Sequence, residues 1–227
     1  MKKSFILLSL IIASVTVDAQ LIKPKQSESY TITQDGQIKK RALFEKKAKE
    51  EINPKYLEGA CPEVSGKIQW TEEIAVPNAT AQQVYDKALT FLTDYCKKHT
   101  AQATSTTKEE ASKVVTQEGT MQIGARIQQT LTFEKKFFSL DIATMNYQVI
   151  VDCLDGKCIV SMKNISYLYE EDRENSLGQI SAEDMISDDS ALTKDKKGFT
   201  IGGSEKFRTK TIDAKDEFFE LFKNAMK

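Results

Sequence analysis

The feature that most constrains the fold of this chain is a two-residue hydrophobic period. From Met121 the odd positions Met121, Ile123, Ala125, Ile127, Leu131 and Phe133 are apolar, and the even positions between them are largely polar. Strand side chains alternate between faces, so this spacing predicts a strand with one buried and one wet face. Such a strand needs partners beside it and a layer over its apolar side. Lys113–Gln117 predicts a short strand before it. Lys67–Pro77, rich in aromatic and β-branched residues and closed by proline, predicts another.

Asp155-Gly156 predicts a hairpin and fixes its register. With these two residues at the centre of a type I′ turn, Leu154 faces Lys157 and Cys153 faces Cys158. Val151 then meets Val160, and Val149 meets Met162, so the register keeps one apolar face intact. The Cys153–Cys158 pair falls at a non-hydrogen-bonded position, where Cα atoms lie about 4.5 Å apart, near the lower limit for a disulfide. A cross-strand bond is expected there, contributing about 2 kcal/mol by closing a short loop; the alternative is two reduced, buried thiols. Cys61 and Cys96 are a possible second pair, with Cys96 otherwise a core thiol. A Cys-x4-Cys hairpin lacks the helix N-terminus that lowers thiol pKa in redox enzymes, which argues against redox catalysis.

Helices are read from caps and four-residue spacing. Thr80 and Gln83 form a capping box, and a helix follows to about Lys98 with Val84, Ala88, Phe91, Leu92, Tyr95 and Cys96 on one side. Ala101–Ser112 reads as a mobile connection. Ser181 with Asp184 opens a short helix. After the Gly202-Gly203 turn, Phe218, Phe222 and Met226 recur at helical spacing, with Ile212 and Phe219 nearby. The order is therefore strand, helix, four strands, helix, an α+β chain with an antiparallel sheet and helices on one face. Gln20–Gln37 reads as an extended arm and Ile38–Ile52 as a helix. The expected divisions are 1–19, 20–54 and 55–227.

Residues 1–19 read as a cleavable export signal. Lys2 and Lys3 precede the apolar run Phe5–Val15, and Val17-Asp18-Ala19 offers a cleavage site before Gln20. The run is shorter than the roughly 20 residues of a membrane span, and nothing later resembles one, so no transmembrane segment is expected after cleavage. The expected location is periplasmic, extracellular or otherwise secreted. Without Lys2, Lys3 and Asp18 the chain keeps 30 basic and 32 acidic side chains, a net charge of −2. That balance argues against nucleic acid as a partner.

No catalytic signature emerges. His99 is the single histidine, three residues after Cys96, and a zinc site needs more ligands than that pair supplies. A C-terminal helix imidazole near free carbonyls is the ordinary explanation. One histidine also leaves little room for nucleophile–base pairs. Glu72 and Glu73 point to opposite faces of a strand and cannot converge; Glu109-Glu110 and Glu170-Glu171-Asp172 are further acidic runs. Asn78-Ala79-Thr80 and Asn164-Ile165-Ser166 match the N-glycosylation pattern and are read here as a cap and a strand. No cofactor or metal is expected.

Four segments carry a family resemblance: YLEGACPEVSGKIQW (Tyr56–Trp70), IAVPNATAQQVYDKAL (Ile74–Leu89), YQVIVDCLDGKC (Tyr147–Cys158) and KFRTKTIDAKDEFFELF (Lys206–Phe222). Together they resemble exported Bacteroidota proteins of domain-of-unknown-function family 4468, which has a TBP-like fold. The resemblance implies the order β-α-β-β-β-β-α over residues 55–227. It supplies no catalytic or binding residue, and Cys61 stands where it implies a valine. A TBP-like fold does not imply DNA binding. In a chain of that source, Asp189-Ser190-Ala191 resembles an envelope O-glycosylation sequence, with Ser190 as the acceptor. The expected function is a non-catalytic envelope module binding a protein, glycan or lipid through the open sheet face or the sheet–helix groove. The alternative is a hydrolase whose carboxylates converge in that groove.

Overall fold

The computed structural model describes residues 30–32, 38–40, 52–102, 112–136, 139–169, 178–200 and 202–227. The chain divides into two units, Met1–Glu50 and Glu51–Lys227. In the first, β1 (Tyr30–Ile32) pairs antiparallel with β2 (Ile38–Lys40), Ile32 opposite Ile38. This corrects the start of the helix expected at Ile38. Asp35-Gly36, a hairpin-favouring pair, lies in the sequence between the two strands. The export signal, most of the arm, and the helix expected over residues 41–51 lie outside the described residues.

The second unit begins with a 3-10 turn at Pro54–Tyr56 and a small hairpin, β3 (Glu63–Val64) and β4 (Lys67–Ile68). The main elements follow: β5 (Trp70–Ala75), α1 (Ala81–Gln102), β6 (Lys113–Thr116), β7 (Gln122–Lys136), β8 (Ser139–Leu154), β9 (Lys157–Tyr169) and α4 (Ser204–Met226). Between β9 and α4 come β10 (Gln179–Ser181), α2 (Ala182–Ile186) and α3 (Asp188–Ala191). The sheet runs β10-β9-β8-β7-β6, with β5 also on β9, and every pairing is antiparallel. The expected α+β order is present, with β10 and two short helices inserted before the last helix.

Both capping-box bonds form: Thr80 N donates to Gln83 Oε1 at 2.9 Å, and Gln83 N donates to Thr80 Oγ1 at 3.3 Å. A third acceptor comes from the distant hairpin, where Asp155 Oδ1 takes the Ala81 N–H at 2.7 Å. The turn residue Gly156 adds two backbone bonds to the β5–α1 connection, accepting from Val76 N and donating to Ala79 O. Gly156 has φ +75°, which glycine adopts without strain. The turn that fixes the hairpin register thus also fixes where α1 starts.

The buried side of the sheet carries Ile123, Ala125, Ile127, Tyr147, Val149, Val151, Val160 and Met162. Over it lie Val84, Ala88, Leu92 and Tyr95 of α1 and Phe218, Phe219, Phe222 and Met226 of α4. Met121, expected inside, precedes the strand and is 45 % exposed. Arg208 of α4 is wholly buried. It donates to the carbonyls of Tyr56, Leu57 and Ile186 and to Asp188 Oδ1, each at 2.6 Å, and so ties the entry segment and the short helices to α4.

Candidate functional site

The helices cover one side of the sheet, and register determines what stands on the other. Lys113 lies opposite Arg126, Arg126 opposite Gln148, and Gln148 opposite Lys163. Directly opposed residues share a face. The four therefore form a row across β6, β7, β8 and β9, with adjacent strands about 4.8 Å apart. The next row contains Val115, Gly124, Ile150, Ser161 and Thr71. Neither row contains a carboxylate. Among the described residues, none of the head groups of Lys113, Arg126 and Lys163 has a hydrogen-bond or ion-pair partner.

A β-bulge bends this face. Asn146 pairs with Ser166 and Gln148 with Lys163, so Tyr147 is opposed by two residues, Asn164 and Ile165. Asn164 takes the extra position with φ +53°, a left-handed conformation that asparagine tolerates better than most residues. Before the bulge Cys158, Val160 and Met162 face the core; after it Ile165 and Tyr167 do. Lys163 and Asn164 consequently both stay on the open side. Asn164 Nδ2 donates to Gln148 Oε1 at 2.8 Å, and Gln179 Nε2 donates to Ser166 Oγ at 2.6 Å.

Around the bulge lies a hollow of about 510 Å³ lined by Arg126, Asn146, Gln148, Asn164, Ser166 and Gln179, among others. A second, of about 270 Å³, continues toward β6 past Val115, Gly124 and Ile150. Arg126 and Gln148 line both. Gly124, without a side chain, keeps the floor low between Val115 and Ile150. The result is a shallow trough of amides, hydroxyls and cations beside a short apolar strip. A larger hollow, about 660 Å³, lies between α1 and α4 on the helix side. Phe91, Leu221 and Ala225 line it with two acids, Asp86 and Asp94, and two lysines, Lys87 and Lys98, so its charges balance.

The residues singled out from sequence fall elsewhere. The Cys153–Cys158 register is as read, and Cys153 N donates to Met121 O on the opposite neighbour, which marks the cysteine pair as a non-hydrogen-bonded one. The bond itself is not formed: all four cysteines are free and buried. Burial pushes the Cys153 thiol up to about 12, with Cys158 adding to it, and burial pushes Cys158 up to about 11. Cys61 and Cys96 are not joined either. Burial raises them to about 12 and about 11, with Arg208 pulling Cys61 the other way. Cys96 lies instead by Ser112 and Val114.

His99 stands in the last turn of α1, as expected, and is buried there. It lies three residues inside the end of α1, 6 % exposed, its ring 4.4 Å from that of Tyr95, where helix spacing continues the stripe of Leu92, Tyr95 and Cys96. Burial, with Lys98 beside it, lowers its pKa, against an opposing pull from Glu217. The Ser190 hydroxyl is engaged inside α3, donating to Glu183 O and accepting from Ser187 Oγ, both at 2.9 Å. A glycan there would displace both bonds. Glu73 pairs with Lys157 at 2.9 Å. Among the described residues no Asp or Glu is buried in the sheet–helix interior, and no group of three potential ligands could hold a metal. Glu109-Glu110 and Glu170-Glu171-Asp172 lie outside the described residues.

Sequence reasoning missed Lys113, Arg126, Gln148, Lys163, Asn164 and Gln179 as a group. The usable signal was the hairpin register itself: one step beyond Val149 and Met162 it pairs Gln148 with Lys163 on the wet face.

Residues 70–168 match the family described as "Domain of unknown function (DUF4468) with TBP-like fold". Among solved structures, a DUF4468 family protein from Bacteroides ovatus is 29 % identical. The alignment covers 77 % of this chain and 95 % of that one, with a TM-score of 0.67. A TBP-like protein from Parabacteroides distasonis, 15 % identical, matches in fold over 73 % of this chain and 96 % of its own, with a TM-score of 0.56. No curated protein matches the chain. The resemblance read from the sequence and the fold it implies both hold.

Proposed function

We propose that this TBP-like domain is a non-catalytic binding module that works outside the cytoplasm and receives its ligand on the open face of the sheet. The observation that carries the reading is the row Lys113–Arg126–Gln148–Lys163. Like charges directly opposite on paired strands cost stability, so folding gives no reason to set Lys113 against Arg126. A ligand bringing negative charge does. The absence of a buried carboxylate from the described sheet–helix interior supports binding over the hydrolase alternative.

The site outside the cytoplasm rests on Lys2, Lys3, the apolar run Phe5–Val15 and the small residues before Gln20. Export also bears on the hairpin. In an oxidising compartment the aligned Cys153 and Cys158 would give up two electrons and two protons to the disulfide of an exported thiol oxidoreductase, released as its dithiol. Intact mass of the chain recovered from its cells tests both statements. The expected species begins at Gln20 and, alkylated in denaturant without reductant, takes up two adducts fewer than the reduced chain. A chain retaining Met1 would contradict export, and equal labelling would contradict the bond.

Lysine acetylation with and without an envelope extract tests the surface. Lys113 and Lys163 are expected to be protected while Lys98, on the α1–α4 side, stays reactive. Protection of Lys98 with unchanged Lys113 and Lys163 would overturn the reading.

A further inference from the structure

Resting on the open-face reading, we infer that the ligand is an acidic polysaccharide, its carboxylates bound by Lys113, Arg126 and Lys163 and its hydroxyls by the amides around the bulge. Charge complementarity supplies the first part. Three cations that have no partner among the described residues lie in one row, without a carboxylate in that row or the next. Guanidinium and ammonium groups bind carboxylates through charge-assisted hydrogen bonds, about twice as strong as neutral ones.

The neutral groups choose the kind of anion. Gln148, Asn146, Asn164, Ser166 and Gln179 line the same hollow as Arg126. A side-chain amide offers two donors and a carbonyl acceptor, a set that suits hydroxyl groups, which donate and accept together. A peptide adding as a strand needs unpaired backbone groups, and those lie at a sheet edge, not across a paired face. Single-stranded nucleic acid needs aromatic platforms for its bases; neither row contains an aromatic residue. The trough crosses several strands and is open to solvent, so it suits an extended chain better than a small enclosed molecule.

The test titrates the chain with oligomers of polygalacturonate, with neutral dextran oligomers and with a DNA duplex, following binding by calorimetry. Polygalacturonate is expected to bind, weakening as salt rises because exposed charges are screened. Arg126→Gln with Lys163→Gln is expected to reduce affinity by about tenfold or more, whereas Lys98→Gln leaves it unchanged. Dextran and duplex are expected to bind at least tenfold more weakly. Equal binding of dextran, tighter binding of the duplex, or an unaltered double variant would overturn the inference. So would absence of polygalacturonate binding. If Lys113 and Lys163 are still protected by envelope extract in any of those cases, the open-face reading stands and only the ligand class falls. Loss of that protection brings down both.

Discussion

Arg208 is the side chain whose removal the fold should tolerate least. It is a wholly buried cation whose partners are three carbonyls and the Asp188 carboxylate. Arg208→Met fills similar volume but strands those acceptors, and breaking such a buried pair costs about 3–5 kcal/mol. Urea unfolding should report that loss; a change below about 1 kcal/mol would show that the guanidinium does not hold the entry segment. His99 gives a pH test. Its folded pKa is lowered, so as pH falls the unfolded chain takes up the proton first, near about 6.5. Its contribution is intact above that pH and is lost as pH drops through the folded value. The wild type should therefore lose more stability between pH 7.5 and 5.5 than His99→Phe; equal losses would contradict the buried imidazole. Both residues were partly legible. Arg208 sits four residues before Ile212, and His99 four after Tyr95, each on its helix's apolar stripe. Their burial follows that spacing rather than their residue type.

Among the elements, the hairpin and the caps were readable because each rests on short-range chemistry. Gly156 supplies the positive φ of its turn while Asp155 does not, so the turn is not the expected type I′ although the register is as read. Thr80 and Gln83 satisfy each other's neighbouring backbone donors. Asp155 reaching α1 was not readable, since it joins residues far apart in the chain. Asp155→Ala should cost about 1 kcal/mol, the usual value for a lost cap, measured by urea unfolding; no change would mean the bond to Ala81 adds nothing. The bulge was missed although it leaves a trace, the shift of buried positions from even to odd between Met162 and Ile165. Asn164→Gly should keep stability within about 0.5 kcal/mol, whereas Asn164→Val should cost about 1–2 kcal/mol, because a branched side chain resists left-handed backbone. Deleting Asn164 removes the extra residue and leaves a regular ladder, with Ile165 opposite Tyr147 and both Ile165 and Tyr167 still facing the core. The deletion variant should therefore still unfold cooperatively in urea; loss of cooperative unfolding would contradict Asn164 as the extra residue.

At the scale of the whole domain, the fold was legible because apolar period encodes which side of each element is inside. The open face was not. Polar positions carry no period that distinguishes idle solvent exposure from a binding row. Lys113, Arg126, Gln148 and Lys163 lie in four different strands, and only the combined registers of three strand pairs bring them together. Nor could net charge reveal them, because a nearly neutral chain can still gather unpaired cations on one face. The claim that this face is the binding surface is tested most directly by amide chemical-shift changes in the labelled domain on adding soluble envelope glycans. The account predicts changes along β6 to β9, centred on Lys113, Arg126, Gln148 and Lys163. Changes confined to α1 and α4 around Phe91 and Leu221 would contradict it.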